Sequence, residues 1–78
     1  MTILYSKDAK KYLERLDLPT RKRIREAVNG IPNGDIVPLE GYNDGTKRLR
    51  VGKFRVVFVI VDNTVSVRAI GSRGGIYK

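Results

Sequence analysis

Residues 54–61, Phe-Arg-Val-Val-Phe-Val-Ile-Val, hold a single polar side chain, Arg55. Side chains alternate between the two faces of a strand. Phe54, Val56, Phe58 and Ile60 then share one face, and Val57, Val59 and Val61 the other. Both faces need cover, so this segment reads as the middle strand of a sheet. Turn formers flank it, Gly52 before and Asp62-Asn63 after. Strands over 46–51, 53–61 and 64–70 then make an antiparallel three-strand meander.

The same alternation sorts the basic residues just before it. Residues 47–55 carry five basic side chains and no acidic one. Leu49 and Val51 share one face, Arg48 and Arg50 the other. Lys47 has the parity of Leu49, but at the strand's start its long stem can reach round. A tight connection at Gly52, with Lys53 beside it, brings Arg55 near Arg48 and Arg50. Guanidinium groups gathered on one patch repel each other unless an anion lies between them, which points to a phosphate-binding surface.

Charge is unevenly spread. Residues 1–44 carry eight basic and seven acidic groups, and residues 45–78 eight basic groups against Asp62 alone. Of the net +8, the second part therefore holds +7. A polarised basic half implies a polyanionic partner, either nucleic acid or an acidic protein segment. No long basic amphipathic helix with exposed aromatics argues for a membrane partner. The longest apolar run, 56–61, is six residues, and no signal peptide or membrane span is visible. With no cysteine, disulfides and thiolate metal sites are excluded, and a reducing cytoplasm is compatible. With no histidine, the usual general base and the commonest metal ligand are missing. No cofactor motif appears, and 78 residues suit one domain, 1–78.

The rest of the chain reads as cover for the sheet. A short strand over 2–5 leads to Ser6, an N-cap for a helix over 7–16 with Ala9, Tyr12, Leu13 and Leu16 on one stripe. A second helix over 19–29 presents Ile24, Ala27 and Val28, then Ile31, and stops at Gly30 and Pro32. Arg21, Lys22, Arg23 and Arg25 read as its solvated face. Residues 33–45 read as a loop, with Ile36, Val37, Leu39 and Tyr42 against the domain edge. The order is β-α-α-β-β-β, an α+β fold with both helices on one face of a small antiparallel sheet.

These residues carry a resemblance. Arg48-Leu49-Arg50-Val51-Gly52-Lys53-Phe54-Arg55-Val56-Val57-Phe58 resembles the R-L-R-V-G-x-[YF]-R-[VI]-[VI]-[YF] segment of the RelE/ParE superfamily of toxins from bacterial toxin–antitoxin pairs. Gly71-Ser72-Arg73-Gly74-Gly75-Ile76-Tyr77 is similar to its closing G-x-R-x-x-[VI]-Y element, residues 5–13 to its opening, and Leu39-Glu40-Gly41 to its L-x-G loop. The resemblance implies a RelE-like toxin, a metal-independent endonuclease that cuts mRNA on the ribosome and is held by an acidic antitoxin. The ParE-like branch, which inhibits DNA gyrase, is the first alternative; a basic RNA-binding module that does not cleave is another. By position, Arg48, Arg50, Arg55, Arg73 and Tyr77 match residues with which RelE-like nucleases bind and cleave RNA. Many such members carry His and Glu where this chain has Ser72 and Gly75.

The chemistry sets the roles. When an RNA 2′-hydroxyl attacks the adjacent phosphorus, the 2′ proton must leave, the phosphorane charge must be offset and the 5′-oxygen must be protonated. Arginine forks suit the second task. Neighbouring cations lower the pKa of a tyrosine or a lysine, so Tyr77 and then Lys47 are the candidates for proton transfer. The expected catalytic set is Arg55, Arg73, Tyr77 and Lys47, with Arg48, Arg50 and Lys53 binding RNA. No pair of nearby carboxylates suggests a two-metal site.

Overall fold

A computed structural model describes residues 1–39, 41 and 44–72. In chain order the elements are β1 (Thr2–Tyr5), α1 (Lys7–Glu14), α2 (Leu18–Asn29), β2 (Asp35–Pro38), β3 (Lys47–Val51), β4 (Phe54–Val61) and β5 (Thr64–Ser72). The strands form one sheet in the order β1-β5-β4-β3-β2. The α+β class, the two N-terminal helices and the central place of β4 agree with the sequence reading.

One face of the sheet carries the core. Phe58, Val56, Leu49, Val65 and Val67 are fully buried there against Ala9 and Leu13 of α1 and Ile24 and Val28 of α2. Tyr12 of α1 meets Phe54 edge-on, ring centroids 6.4 Å apart. The other face of β4 is apolar too. Val57 and Val59 are buried outside the cluster that packs on the two helices. Gly45 approaches Val59, so the segment leading into β3 supplies part of that cover.

The helix ends explain their own boundaries. Ser6 caps α1, its Oγ accepting from the Ala9 N–H at 3.1 Å. Asp17 caps α2 by accepting from the Thr20 N–H at 3.3 Å, one residue earlier than a start at Pro19. α1 ends at Glu14 rather than at 16 because its last turn tightens. The Arg15 and Leu16 N–H groups donate to carbonyls three residues back.

Three features depart from the sequence reading. The expected loop over 33–45 contains β2, whose Ile36 pairs with Leu49 and whose Val37 pairs with Arg48. Proline is tolerated on an edge strand, and Pro38 ends this one. The sheet is mixed, not wholly antiparallel, because β1 runs parallel to β5. That pairing extends into the helix cap, where the Ser6 N–H donates to the Val67 carbonyl at 2.8 Å. Finally, β5 is bulged. Val57 pairs with Ala69 and Phe58 with Val67, leaving Arg68 as the extra residue. The bulge shifts the phase of β5, so Val65, Val67 and Ile70 all reach the core. Among the described residues, no helix is long and apolar enough to cross a membrane.

Candidate functional site

The hairpin between β3 and β4 builds the site. Gly52 and Lys53 form its two-residue loop, with φ +60° at Gly52 and no positive φ at Lys53. A first loop residue of positive φ is the glycine position of a type II′ turn. The turn fixes the register: Val51 pairs with Phe54 and Arg50 with Arg55. Paired residues share a face, so both guanidinium groups stand on the side of the sheet away from the helices. Arg48 pairs with Val57 on that same face. Arg50, Gly52, Lys53 and Arg55 line a concavity of about 410 Å³. The Lys53 ammonium also lies 5.4 Å from the centroid of the Phe54 ring, a cation–π contact.

The patch is strongly positive but not uniform. Asp35 of β2 is the register partner of Arg50, yet no ion pair joins them. Arg48 is half-buried, and its Nε is enclosed with no hydrogen-bond partner. A buried donor left unsatisfied destabilises a fold, and such conflicts are expected at functional sites. Arg48 and Arg50 are also not guarding a sheet edge, because β2 lies outside β3.

The expected site residues do not all come together. Arg48, Arg50, Arg55 and Lys53 do. Lys47 pairs with Phe58 and Pro38 on the face of Leu49, and its Nζ reaches the Gly45 carbonyl at 3.5 Å. Its register thus sets its Cβ on the opposite face from the three arginines, while its Nζ turns back to Gly45. Arg73 and Tyr77 lie outside the described residues, as do Glu40 and Tyr42. Gly71 is the β5 partner of Arg55, and β5 ends at Ser72 opposite Phe54.

The sequence reading missed what several other residues do. The α2 cations do more than face solvent. Arg21 donates to the Leu13, Glu14 and Leu16 carbonyls at 3.0, 3.3 and 3.0 Å, closing the C-terminal end of α1. Arg25 lies 5.5 Å from the Tyr5 ring centroid. Burial raises the Tyr5 pKa, and Arg25 opposes that rise by favouring the phenolate. Arg23 packs against Gly52. On β5, the Arg68 guanidinium donates to Asp44 at 2.9 Å and to the buried Thr46 hydroxyl at 3.2 Å. Thr46 in turn hydrogen-bonds Asp44 through its side chain and its N–H. The Thr46 and Arg68 hydrogen bonds hold the Asp44 carboxyl down to a pKa of about 2. The signal for the bulge was present in the spacing Val65-x-Val67-x-x-Ile70, which breaks strict alternation.

Comparison with known proteins gives one consistent picture. Residues 3–77 match the family model described as the ParE toxin of the type II toxin–antitoxin system parDE. No curated relative matches by sequence. Among solved structures, the chain is similar to RelE in the RelB–RelE antitoxin–toxin complex of Methanococcus jannaschii. There the TM-score is 0.75 at 26% identity, over 95% of this chain and 94% of that one. The archaeal RelE–RelB complex of Pyrococcus horikoshii gives 0.75 at 24% identity, over 95% and 96%. The YoeB dimer of Staphylococcus aureus gives 0.72 at 22%, over 88% and 92%. The last two speak to fold alone.

Proposed function

The chain belongs to the ParE toxin family of type II toxin–antitoxin systems, within the RelE/ParE superfamily, and we propose that it is a RelE-like mRNA endonuclease, ribosome-dependent and metal-independent. The observation that carries this reading is the cross-strand pair Arg50 and Arg55, set with Lys53 around one concavity. Two guanidinium forks and an ammonium on one wall suit a phosphodiester and the extra charge it gains in a phosphorane.

The proposed step is transesterification within the RNA. The 2′-oxygen–phosphorus bond forms and the phosphorus–5′-oxygen bond breaks. The proton lost by the 2′-hydroxyl is matched by one gained at the 5′-oxygen, leaving a 2′,3′-cyclic phosphate. Arg48 and Arg50 hold the backbone, Lys53 contacts a flanking phosphate, and Arg55 and Arg73 offset the phosphorane charge. Tyr77 handles a proton. Lys47 ranks second for that role because its register sets its Cβ on the helix-side face. The partners in this reading are the ribosome with its mRNA, in the cytoplasm, and a cognate acidic antitoxin. The solved M. jannaschii relative is itself bound to an antitoxin.

A gyrase-directed toxin is the second reading, favoured by the match to the ParE model and by the absence of histidine. Primer extension on mRNA translated in a purified system separates the two. Cuts that require ribosomes support the nuclease; no cuts, with loss of gyrase supercoiling, refute it in favour of the second.

A further inference from the structure

We propose that Arg23 of α2 is a further RNA contact, and that the RNA backbone leaving the concavity passes over Gly52 to reach it. The inference rests on the nuclease reading of the sheet face and extends the binding surface onto the helix layer, where no contact has been assigned above.

The geometry begins at Gly52. A Cβ placed there would come within 2.9 Å of Arg23 Nη2, 3.3 Å of its Cζ and 3.4 Å of Nη1. The guanidinium thus sits against the glycine backbone. Gly52 is needed at this point for its backbone conformation. Its φ of +60° disfavours any side chain, and Arg23 lies where one would point. The same glycine lines the concavity with Arg50, Lys53 and Arg55. Arg23 therefore meets, at Gly52, the turn that lines the concavity.

Arg23 also lacks the structural duty of its neighbours. Arg21 closes the end of α1, and Arg25 stacks on Tyr5. Arg23 is exposed and makes no hydrogen bond or ion pair among the described residues. The fully buried Ile24 next to it fixes the rotation of α2 and so the direction of Arg23. Four cations, Arg23, Arg50, Lys53 and Arg55, then lie at one turn, and among the described residues Asp35 of β2 is the acid in register with Arg50. Arg23, Arg50 and Lys53 at one turn repel each other, and an anion between them relieves this. Arg50 and Arg55 stand on the outer face, whereas Arg23 comes from the helix side. A lone phosphate suits one side of the turn, while successive phosphates of a single strand suit both.

The test measures binding of the full chain to single-stranded oligouridylate by fluorescence anisotropy over a series of KCl concentrations. Each phosphate contact to a single strand contributes about 0.7 to the slope of log affinity against log salt. Arg23→Gln should lower that slope by about 0.7, and Arg23→Lys, which keeps the charge, should retain it. Lys22→Gln, an exposed neighbour, should leave the slope unchanged. Arg55→Gln serves as the control for the sheet face. A slope lowered by Arg55→Gln but not by Arg23→Gln overturns this inference and leaves the reading of the sheet intact. Unchanged slopes in both overturn both. If Arg23→Gln weakens only binding of the acidic antitoxin, Arg23 is a protein contact and the inference fails.

Discussion

The Ser6 hydroxyl donates a 2.7 Å hydrogen bond to the carbonyl of Arg68, 62 residues along the chain. The same oxygen accepts the Ala9 N–H that starts α1. Arg68 is the extra residue of the β5 bulge, and its guanidinium holds Asp44 and Thr46. One bulge thus ties the first helix to the segment that covers the outer face of β4.

Ser6→Ala should therefore lose more than an N-cap. Cap removal alone typically costs about 0.5–2 kcal/mol, and here the Arg68 carbonyl loses its donor as well. We expect a loss at the upper end of that range in urea denaturation, with an unchanged m-value. A loss no larger than that of an exposed Ser→Ala substitution would show that the cap and the bulge are not coupled.

The two faces of β4 should respond differently to truncation. Phe58 is fully buried under the helices, so Phe58→Ala should cost roughly 3–5 kcal/mol. Arg55→Gln removes a charge from the opposite face and leaves the core in place. It should shift the melting temperature far less while weakening RNA binding. Equal destabilisation by the two substitutions would contradict this division.

Low pH should loosen the segment ahead of β3. The Asp44 pKa falls from 3.8 to about 2 in the folded chain, through its hydrogen bonds to Thr46 and Arg68. A depressed carboxyl stabilises the fold above its unfolded pKa, and the effect is lost as pH falls through the folded value. The window is thus about pH 4 down to 2. Asp44 is exposed, so the effect is modest. Asp44→Asn should flatten the stability profile across this window, while Asp17, whose pKa is lowered by its hydrogen bonds to Thr20, keeps its own contribution in both proteins. Superimposable profiles for the two proteins would rule out the Asp44 linkage.

Antitoxin association should be steered by charge. Residues 45–78 carry +7, and an acidic segment would be drawn to them over a Debye length. The association rate should fall as salt rises, with affinity falling less because apolar contacts are not screened. Stopped-flow mixing at low and high salt checks this; a rate that does not move with salt counts against steering.

The parts of this fold legible in the sequence are those fixed by short-range geometry. A two-residue loop at Gly52 forces Arg50 opposite Arg55, so that pair could be read from spacing alone. β2 could not, because four residues ending in proline show no alternation and gain their strand character only by pairing with β3. The α2 cations were misjudged for a related reason. Like charges one and two residues apart on a helix point in different directions, and what each meets depends on tertiary neighbours. Arg21 met open carbonyls, Arg23 a glycine and Arg25 a ring. The bulge at Arg68 left a trace in sequence, but its consequence for Asp44 and Thr46 required the fold.

Catalysis offers the most demanding prediction. Arg55 faces Gly71 across the β4–β5 ladder, and the closing motif residues Arg73 and Tyr77 follow two and six positions later in sequence. If Arg73 offsets phosphorane charge, Arg73→Ala should slow single-turnover cleavage on programmed ribosomes by ~10²–10³ while ribosome binding changes little. Tyr77→Phe keeps the ring and removes the hydroxyl, so it separates proton transfer from stacking on a base. A strong rate loss in Tyr77→Phe assigns the proton to the phenol. If its rate stays high and Lys47→Gln is slow instead, the proton passes through Lys47 despite its Cβ on the helix-side face. Product ends should be 2′,3′-cyclic phosphates, and cleavage should survive EDTA wherever the ribosome stays intact. Full activity in both Arg73→Ala and Tyr77→Phe would remove the closing motif from the chemistry and leave the Arg50–Arg55 pair as a binding surface only.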